Sequence, residues 1–452
     1  MLCDKNQRKH TNITVQEFVN PKKNAAAAPP PLSTATHHPQ HQNLNNLYHS
    51  WHHSLFTSPY TFLFLHFFPF TLPPYNQPHP SLFPNHQPHR LLFHHNNQNA
   101  LLPTPPSIAY LISGSNKDTS RIIRLLFAVY HPRNQYLIHL DRRASQYERD
   151  SLALYVESVP LFKAAQNVNF IGKADFAYPM GSSALSSTLH GASVLLGVSD
   201  HWDWFINLSV DDYPLVTQDD LLHILSYMPK DLNFVNHTSY IGCRESQKLK
   251  PIVVDPGLYL TEEDEVFYVT QRRELPDAYR LFSGSSFTIL SRKFIEFCIL
   301  GADNLPRTLL MYLSNSQSSA SVYFPTVLCN SRKFNRTTIN HNMRYVSFNS
   351  RQEARPLNSS DFNDLVMSGA AFAAPFEAND PILDQIDREL LHHKHNEPVP
   401  GGWCLDENGT DKCTLWGDAE VLRPGPGSKR LEKAFVQIFT NATFPSSRCI
   451  YE

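Results

Sequence analysis

The stretch Trp202-Asp-Trp-Phe-Ile-Asn-Leu-Ser-Val-Asp-Asp-Tyr-Pro-Leu215 decides the fold of this chain. Its apolar middle, residues 204–208, is typical of a buried strand, and a Tyr-Pro ends that strand after two carboxylates, Asp211 and Asp212. In an open α/β sheet, ligands bind just beyond the carboxyl ends of the strands. The paired acids therefore predict a functional site. A capped turn before a helix that starts at Gln218 is the alternative interpretation.

Strand and helix patterns alternate before this stretch. The predicted elements are a strand at 108–113, a helix capped by Asp118 and running to 130, a strand at 136–140, a helix at 148–158, a strand at 168–171 and a helix at 183–196. No G-x-G-x-x-G follows the first strand and no G-x-x-x-x-G-K-[ST] occurs, which disfavours dinucleotide and P-loop sites. The expected fold class is α/β, with a central, mostly parallel sheet flanked by helices.

Composition limits the classes of function. A chain of 452 residues holds two or three domains, or one large domain with tails, and its 41% hydrophobic content supports a packed core. No basic face with interleaved aromatic residues is found, so we expect no nucleic-acid partner. The cysteines include no C-x-x-C pair, which argues against a structural zinc site.

Cysteines and glycosylation sequons concentrate late in the chain. Six of the seven cysteines follow residue 240, and six of the seven N-x-S/T sequons follow residue 200. The sequons lie at Asn12, Asn207, Asn236, Asn335, Asn358, Asn408 and Asn441. This distribution favours a lumenal or extracellular compartment, where disulfides persist. Cys404 and Cys413 form the most plausible local bridge, and the complete pairing stays open.

The first hundred residues differ in composition from the rest. Residues 24–89 carry no Asp, Glu, Lys or Arg, and their proline and histidine are typical of disordered sequence without metal-ligand spacing. Within them, 55–72 is uncharged and mostly apolar, close to the roughly 20 residues that cross a bilayer. Because basic residues precede this segment, the N-terminus is expected in the cytoplasm. A disordered aromatic-rich leader, or a wrong start of the gene model, is the alternative.

These patterns divide the chain into four parts. The sequence predicts a cytoplasmic tail at 1–53, a signal-anchor at 54–73, a Pro/His/Asn-rich stem at 74–104 and one lumenal domain at 105–452.

Six segments, in this order along the chain, match the sequence pattern of one known family. They are Tyr-Leu-Ile-Ser-Gly-Ser (110–115), Tyr-His-Pro-Arg-Asn-Gln-Tyr (130–136), His-Leu-Asp (139–141), Trp-Asp-Trp-Phe-Ile-Asn-Leu-Ser (202–209), Asp-Tyr-Pro-Leu (212–215) and Asp-Asn-Leu-Pro-Arg-Thr-Leu-Leu-Met-Tyr (303–312). These segments resemble the core-2/I-branching β-1,6-N-acetylglucosaminyltransferase family. Within it they resemble the plant branch that includes β-glucuronosyltransferases acting on arabinogalactan.

The resemblance implies a type II Golgi membrane protein with a GT-A-like lumenal domain. It implies inverting transfer of glucuronic acid or N-acetylglucosamine, in β-1,6 linkage, from a UDP-sugar to a galactan-type glycan, with no metal ion or other cofactor. Other Golgi glycosyltransferases are candidate partners. Since only Asp212 belongs to the family pattern, Asp211-Asp212 is not interpreted as a magnesium or manganese site.

Such a reaction needs donors and acceptors for the nucleotide, positive charge for the leaving diphosphate and a carboxylate base for the acceptor hydroxyl. For nucleotide-sugar binding, the resemblance points to Asp141, Asp212, Gly114 and Ser115. For acceptor binding, it points to Glu245, Lys248, Gly284, Arg344, Tyr345 and Phe348. The alternatives are a solvated charged loop around Glu245 and core packing of the two aromatic residues. Phe348 stands where most relatives have Trp, and it keeps the stacking surface without the N–H donor.

Two positions depart from the family pattern. Its catalytic acid lies in a segment resembling S-P-E-G-Y-F, where this chain has Ser-Ala-Ser-Val-Tyr-Phe with Ser321 at the base position. Serine has no useful basicity near neutral pH. The family lysine that meets the diphosphate is replaced by Pro375, and Arg423, Lys429 and Arg430 are the candidate substitutes.

Two functions therefore stay open. One is an active Golgi transferase, and the other is a weakened or inactive member that binds glycan or associates with active transferases. A structural wall protein, suggested by the Pro/His-rich leader, is a third interpretation with less support.

Overall fold

The computed structural model describes residues 104–239, 241, 243–259, 265–351, 353–405, 413, 416–440 and 449. The predicted tail and signal-anchor, and the stem except for Thr104, lie outside these residues. Within the described part of the chain, no helix combines the length and the apolar character needed to span a bilayer.

Fourteen strands and twelve α-helices are found in the described residues. The strands are β1 Ile108–Gly114, β2 Gln135–Leu140, β3 Val168–Phe170, β4 Trp204–Ser209, β5 Tyr213–Pro214, β6 Asn233–Phe234, β7 His237–Thr238, β8 Pro251–Val254, β9 Phe267–Arg272, β10 Ser283–Gly284, β11 Ile289–Ser291, β12 Thr338–Ile339, β13 Arg344–Tyr345 and β14 Phe372–Ala373. The helices are α1 Thr119–Ala128, α2 Gln146–Ser158, α3 Pro160–Ala165, α4 Ser183–Val198, α5 Gln218–Ser226, α6 Cys243–Leu249, α7 Arg292–Ile299, α8 Asn304–Leu313, α9 Ala320–Asn330, α10 Phe362–Ser368, α11 Pro381–Ile386 and α12 Pro426–Thr440.

The central sheet has seven strands in the order β12-β6-β11-β4-β1-β2-β3. β1 is parallel to β2 and β4, β2 is parallel to β3, and β6 is parallel to β12. Only β11 in this sheet runs against its neighbours, β4 and β6. The expected α/β class with a mostly parallel sheet is confirmed.

The side chains of β4 explain why this part of residues 202–215 lies in the centre of the seven-stranded sheet. Trp204, Ile206 and Leu208 pack into one apolar cluster, while the intervening Phe205 packs into a second cluster. Because successive strand side chains point to opposite faces, the two clusters lie on the two faces of the sheet. A strand that is apolar on both faces is buried between helical layers.

The strand order reverses at β1. From β1 the chain moves outward through β2 and β3, then returns to place β4 on the other side of β1. Since these strands are parallel, the segments that follow β1, β2 and β4 leave the same edge of the sheet. The point between β1 and β4 is where ligands bind in open α/β sheets.

A smaller sheet has the order β13-β14-β5, and its strand β5 follows β4 directly in the chain. Ala373 of β14 pairs with Tyr213 of β5, and Tyr345 of β13 pairs with Ala373. This sheet joins the segment after Asp212 to two segments from much later in the chain.

The elements predicted from sequence were found as far as α5, and no element after α5 was predicted. The first predicted strand, the helix to residue 158 and the helix starting at Gln218 match β1, α2 and α5. α1 ends at Ala128 rather than at 130, and the Asp118 carboxylate accepts a hydrogen bond from Ser115 N instead of capping the helix.

Two disulfides are present among the described residues. Cys404 pairs with Cys413, which confirms the predicted local bridge. The second joins Cys329 at the end of α9 to Cys449.

Candidate nucleotide-sugar site

Asp212 is buried at the end of β4 and is paired with Arg344. Its carboxylate accepts a hydrogen bond from Ser209 N at 2.7 Å, and Arg344 Nη2 lies 2.7 Å from its other oxygen. Burial raises the pKa of Asp212, and the charge of Arg344 opposes that rise. The Nε of Arg344 is buried and has no hydrogen-bond partner among the described residues. This ion pair is therefore only partly satisfied by the protein.

Asp211 is half exposed and is paired with a second arginine. Arg121, in the first turn of α1, places Nη2 2.7 Å from Asp211 Oδ1 and donates to the Phe376 carbonyl at 2.9 Å. The Phe376 N–H in turn donates to the Asp211 carbonyl. Each acid of the pair is thus engaged by an arginine from a different part of the fold.

Asp141 follows β2 at the same edge and is nearly fully buried. One of its oxygens accepts from Arg143 N and Nε, and the other accepts from Ala177 N and Arg143 Nη2. A carboxylate has about four lone-pair sites, so these donors fill it. Asp141 fixes the loop that follows β3, and its predicted contact with the nucleotide stays a prediction.

Gly114 is the last residue of β1, and Ser115 follows it. A side chain at Gly114 would meet Ile122 Cδ1 at 2.9 Å and Val210 Cγ1 at 3.0 Å. The missing side chain lets α1 and the segment after β4 approach β1 closely. Both predicted residues therefore line the point where the strand order reverses.

The predicted acceptor residues Glu245, Lys248 and Gly284 lie on two neighbouring elements. Lys248 Nζ is 3.1 Å from Glu245 Oε1 on α6, and the Ser283 hydroxyl is 3.5 Å from Glu245 Oε2. Gly284 pairs with His237, and a Cβ at Gly284 would lie 1.9 Å from the Asn236 carbonyl oxygen. From the sequence, the backbone at Gly284 is expected to approach a ligand closely. In the structure it approaches the backbone of Asn236. Contact with a ligand there stays a prediction.

Arg344, Tyr345 and Phe348 lie on and after β13. The Arg344 guanidinium stacks 5.2 Å from the ring centroid of Phe287, three residues after Gly284. Phe287 therefore connects the acceptor-side turn to the Asp212 pair. Phe348 is 62% exposed, so its ring is not packed in the core, and its contact with a ligand stays a prediction.

Ser321 lies in the first turn of α9, which packs against β10. Its hydroxyl donates to the Ser318 carbonyl at 2.8 Å. No Asp or Glu occurs between residues 309 and 338. The first turn of α9 therefore offers no proton acceptor at the position where the resemblance expects one.

Pro375 lies beside Asp211, because Phe376 is bonded to Asp211 through its backbone. Of the substitutes expected from sequence, Arg430 has a side-chain contact elsewhere and Arg423 a backbone contact. Arg430 donates from Nη2 to the Leu215 carbonyl, and burial lowers its pKa. The Arg423 backbone N–H binds the Asp219 carboxylate.

Sequence reasoning missed Arg121. It is separated from Asp211 by 90 positions, and only the fold brings the two together. One sequence feature pointed to Arg121: it lies three residues after Asp118, at the start of the helix that follows the first strand.

Comparison with known proteins identifies the family. The model described as "Branch: Core-2/I-Branching enzyme" matches residues 108–365, more than half of the chain. The chain belongs to the core-2/I-branching enzyme family. Family membership and its relatives make it a glycosyltransferase.

The relatives of this core-2/I-branching enzyme include plant glucuronosyltransferases. Beta-glucuronosyltransferase GlcAT14A of Arabidopsis thaliana is 49% identical over 352 residues, covering 77% of this chain and 79% of the relative. GlcAT14C of the same plant is 45% identical, covering 76% of this chain and 86% of the relative. Xylosyltransferase 1 of Homo sapiens is 28% identical, and the match covers 68% of this chain and 33% of the relative.

Likeness to solved structures is slight. The apo structure of the WbbM bifunctional glycosyltransferase has a TM-score of 0.32 and 11% identity, covering 63% of this chain and 49% of that chain.

Proposed function

We propose that this chain is a Golgi, inverting glycosyltransferase that transfers glucuronic acid from its UDP-sugar to an arabinogalactan-type galactan in β-1,6 linkage. The glucuronosyl donor, rather than UDP-N-acetylglucosamine, is supported by two plant glucuronosyltransferases that are 49% and 48% identical over 77% and 76% of this chain. The type II signal-anchor predicted at 54–73 belongs to the same proposal.

The pairing of Asp211 and Asp212 with two arginines carries the proposal. Asp212, held by Arg344 in a mostly buried pair, is a poor ligand for a divalent cation, and both arginines place positively charged guanidinium groups beyond the carboxyl ends of β1 and β4. That charge would stabilise a leaving diphosphate, as preorganised cations do in phosphoryl sites. We therefore propose transfer without a metal ion.

In this reaction an acceptor hydroxyl oxygen forms a bond to C1 of the sugar while the bond from C1 to the diphosphate oxygen breaks. UDP leaves with the additional negative charge, and the hydroxyl proton must pass to a base. Positioned general bases contribute about 10² to 10⁴ in rate. Because Ser321 is not a base, we expect transfer that is slow by a similar factor.

One observation favours a second candidate, a member that binds glycan with little or no turnover. The Ser321 hydroxyl donates to the Ser318 carbonyl, and its oxygen is not basic enough to take the proton of an acceptor hydroxyl. Pro375, beside Asp211, removes a second group that the resemblance expects.

The test uses the full-length chain in mild detergent with EDTA. Transfer from UDP-glucuronic acid and from UDP-N-acetylglucosamine to a galactan oligosaccharide is measured for the wild type, Ser321→Glu and Ser321→Gln. We expect slow glucuronosyl transfer by the wild type, a gain of about 10² to 10⁴ for Ser321→Glu, and none for the size-matched Ser321→Gln.

Absence of transfer from both donors in the wild type and in Ser321→Glu would reject the transferase. Galactan binding that persists in those proteins would support the second candidate. Localisation is tested separately with a glycosylation reporter placed after Leu101 and co-imaging with Golgi markers. An unmodified cytosolic product would contradict the signal-anchor.

A further inference from the structure

Arg121 lies at the point where the strand order reverses. It belongs to α1, which follows β1, and its guanidinium contacts Asp211, which follows β4. It also donates to the Phe376 carbonyl beyond β14. One cation therefore spans the gap between the two strand ends where ligands of open α/β sheets bind.

The ion pairs of Arg121 are weak enough to be exchanged. Asp211 is 50% exposed in the pair, and the second carboxylate, Asp118, is 3.4 Å away. A pair with one half-exposed partner is screened by solvent and is weaker than a fully buried pair. A phosphate group offers bidentate geometry and more negative charge to the same guanidinium.

The surroundings favour an anion on the α1 side. The positive end of the α1 dipole lies in the same turn as Arg121, because this ten-residue helix begins at Thr119. Arg121 is anchored by a neutral carbonyl as well as by Asp211, so it keeps its place when the carboxylate is displaced.

We propose that Arg121 is a catalytic residue that binds the diphosphate of the UDP-sugar and stabilises UDP as it leaves. Its guanidinium is held next to Phe376, directly after Pro375, where the resemblance expects a lysine. The charge lost at position 375 is thus supplied from α1. This inference rests on the proposed function, since it assumes a nucleoside diphosphate donor.

The test separates phosphate recognition from nucleoside recognition. Binding of UDP and of uridine to the full-length protein is measured by calorimetry for the wild type, Arg121→Met and Arg121→Lys. We expect Arg121→Met to weaken UDP binding by about 10-fold or more, with uridine unchanged, and Arg121→Lys to recover part of the loss. Arg307→Gln serves as the charge-matched control, because Arg307 is on α8 and binds the Gly301 carbonyl.

Asp211→Asn provides an independent readout that does not remove Arg121. It eliminates the competing negative charge, so UDP binding should tighten by about 2- to 5-fold while uridine binding is unchanged. UDP binding that is unaltered in Arg121→Met, or that weakens in Asp211→Asn, would overturn the role of Arg121. A wild type that binds neither UDP nor UDP-sugar would instead reject the proposed function.

Discussion

Arg344 Nη2 lies 2.7 Å from Asp212 Oδ1, so the carboxylate that follows β4 is neutralised by a guanidinium group from β13. Both side chains are mostly buried, with side-chain exposures of 4% for Asp212 and 17% for Arg344. Removing one partner of a buried pair leaves an uncompensated charge, whereas removing both does not.

We therefore expect Arg344→Met to lower the free energy of unfolding by about 3 to 5 kcal/mol. The double variant Arg344→Met/Asp212→Leu should be less destabilised than the sum of the single variants. Urea denaturation of the four proteins measures this coupling. Arg388→Met is the control, since its pair with Glu389 is exposed and should contribute about 1 kcal/mol or less. Additive effects at 344 and 212 would contradict the coupling.

Phe348 provides a test of the acceptor side. If its exposed ring stacks on a sugar face, Phe348→Ala should raise the KM for galactan by about 2- to 10-fold, since aromatic contacts contribute about 0.5 to 1.5 kcal/mol. Phe348→Trp should lower the KM or leave it unchanged. Donor KM should not respond to either change, and an equal rise in donor KM would argue for a general structural role.

Gly284 is expected to tolerate no side chain. Because its Cβ would lie 1.9 Å from the Asn236 carbonyl oxygen, Gly284→Ala must shift the β7–β10 pair and should destabilise the fold by about 1 to 3 kcal/mol. Gly172→Ala is the matched control, because nothing lies within 4 Å of a Cβ there. Thermal unfolding of both variants measures the difference, and equal melting temperatures would refute the predicted clash.

Asp387 is expected to make stability depend on pH. Burial would raise its pKa, but hydrogen bonds from His393 and Tyr213 and the charge of Arg124 lower it below its usual value. A lowered pKa means that the contribution of Asp387 is complete above the unfolded value of about 3.9 and is lost as the pH falls through the folded value.

Asp387→Asn should therefore destabilise the protein by about 3 to 5 kcal/mol at neutral pH, since it leaves Arg124 without its buried partner. The difference from wild type should shrink as the pH falls below about 4. Denaturant unfolding at several pH values provides the measurement. A difference that stays constant down to acidic pH would show that the ionised form of Asp387 is not responsible.

The sheet could be predicted because its signals are local. In β1, β2 and β4 the apolar runs are bounded by turn residues, and each run needs only its own sequence to be recognised. The same holds for Cys404 and Cys413, which are close in sequence.

The arrangement of the site could not be read in the same way. β5, β13 and β14 have two residues each, too short for any period, and they pair only because the fold brings them together. The partners of Asp211 and Asp212 come from positions 121 and 344. The residue types predicted which end of the sheet holds the site. The pairing of charges between distant segments became visible only in the structure.

The three-stranded sheet β13-β14-β5 joins an early segment of the chain to two late ones, so the parts of this site are synthesised at different times. The strands β1 to β4 and the two acids leave the ribosome well before Arg344 and Phe376 are synthesised. A nascent chain that ends before β13 carries a strand-end acid without its arginine. In that chain Arg121, the partner of Asp211, is already present, whereas Asp212 gains Arg344 only when β13 is synthesised. The two neighbouring acids are therefore neutralised at different stages of synthesis.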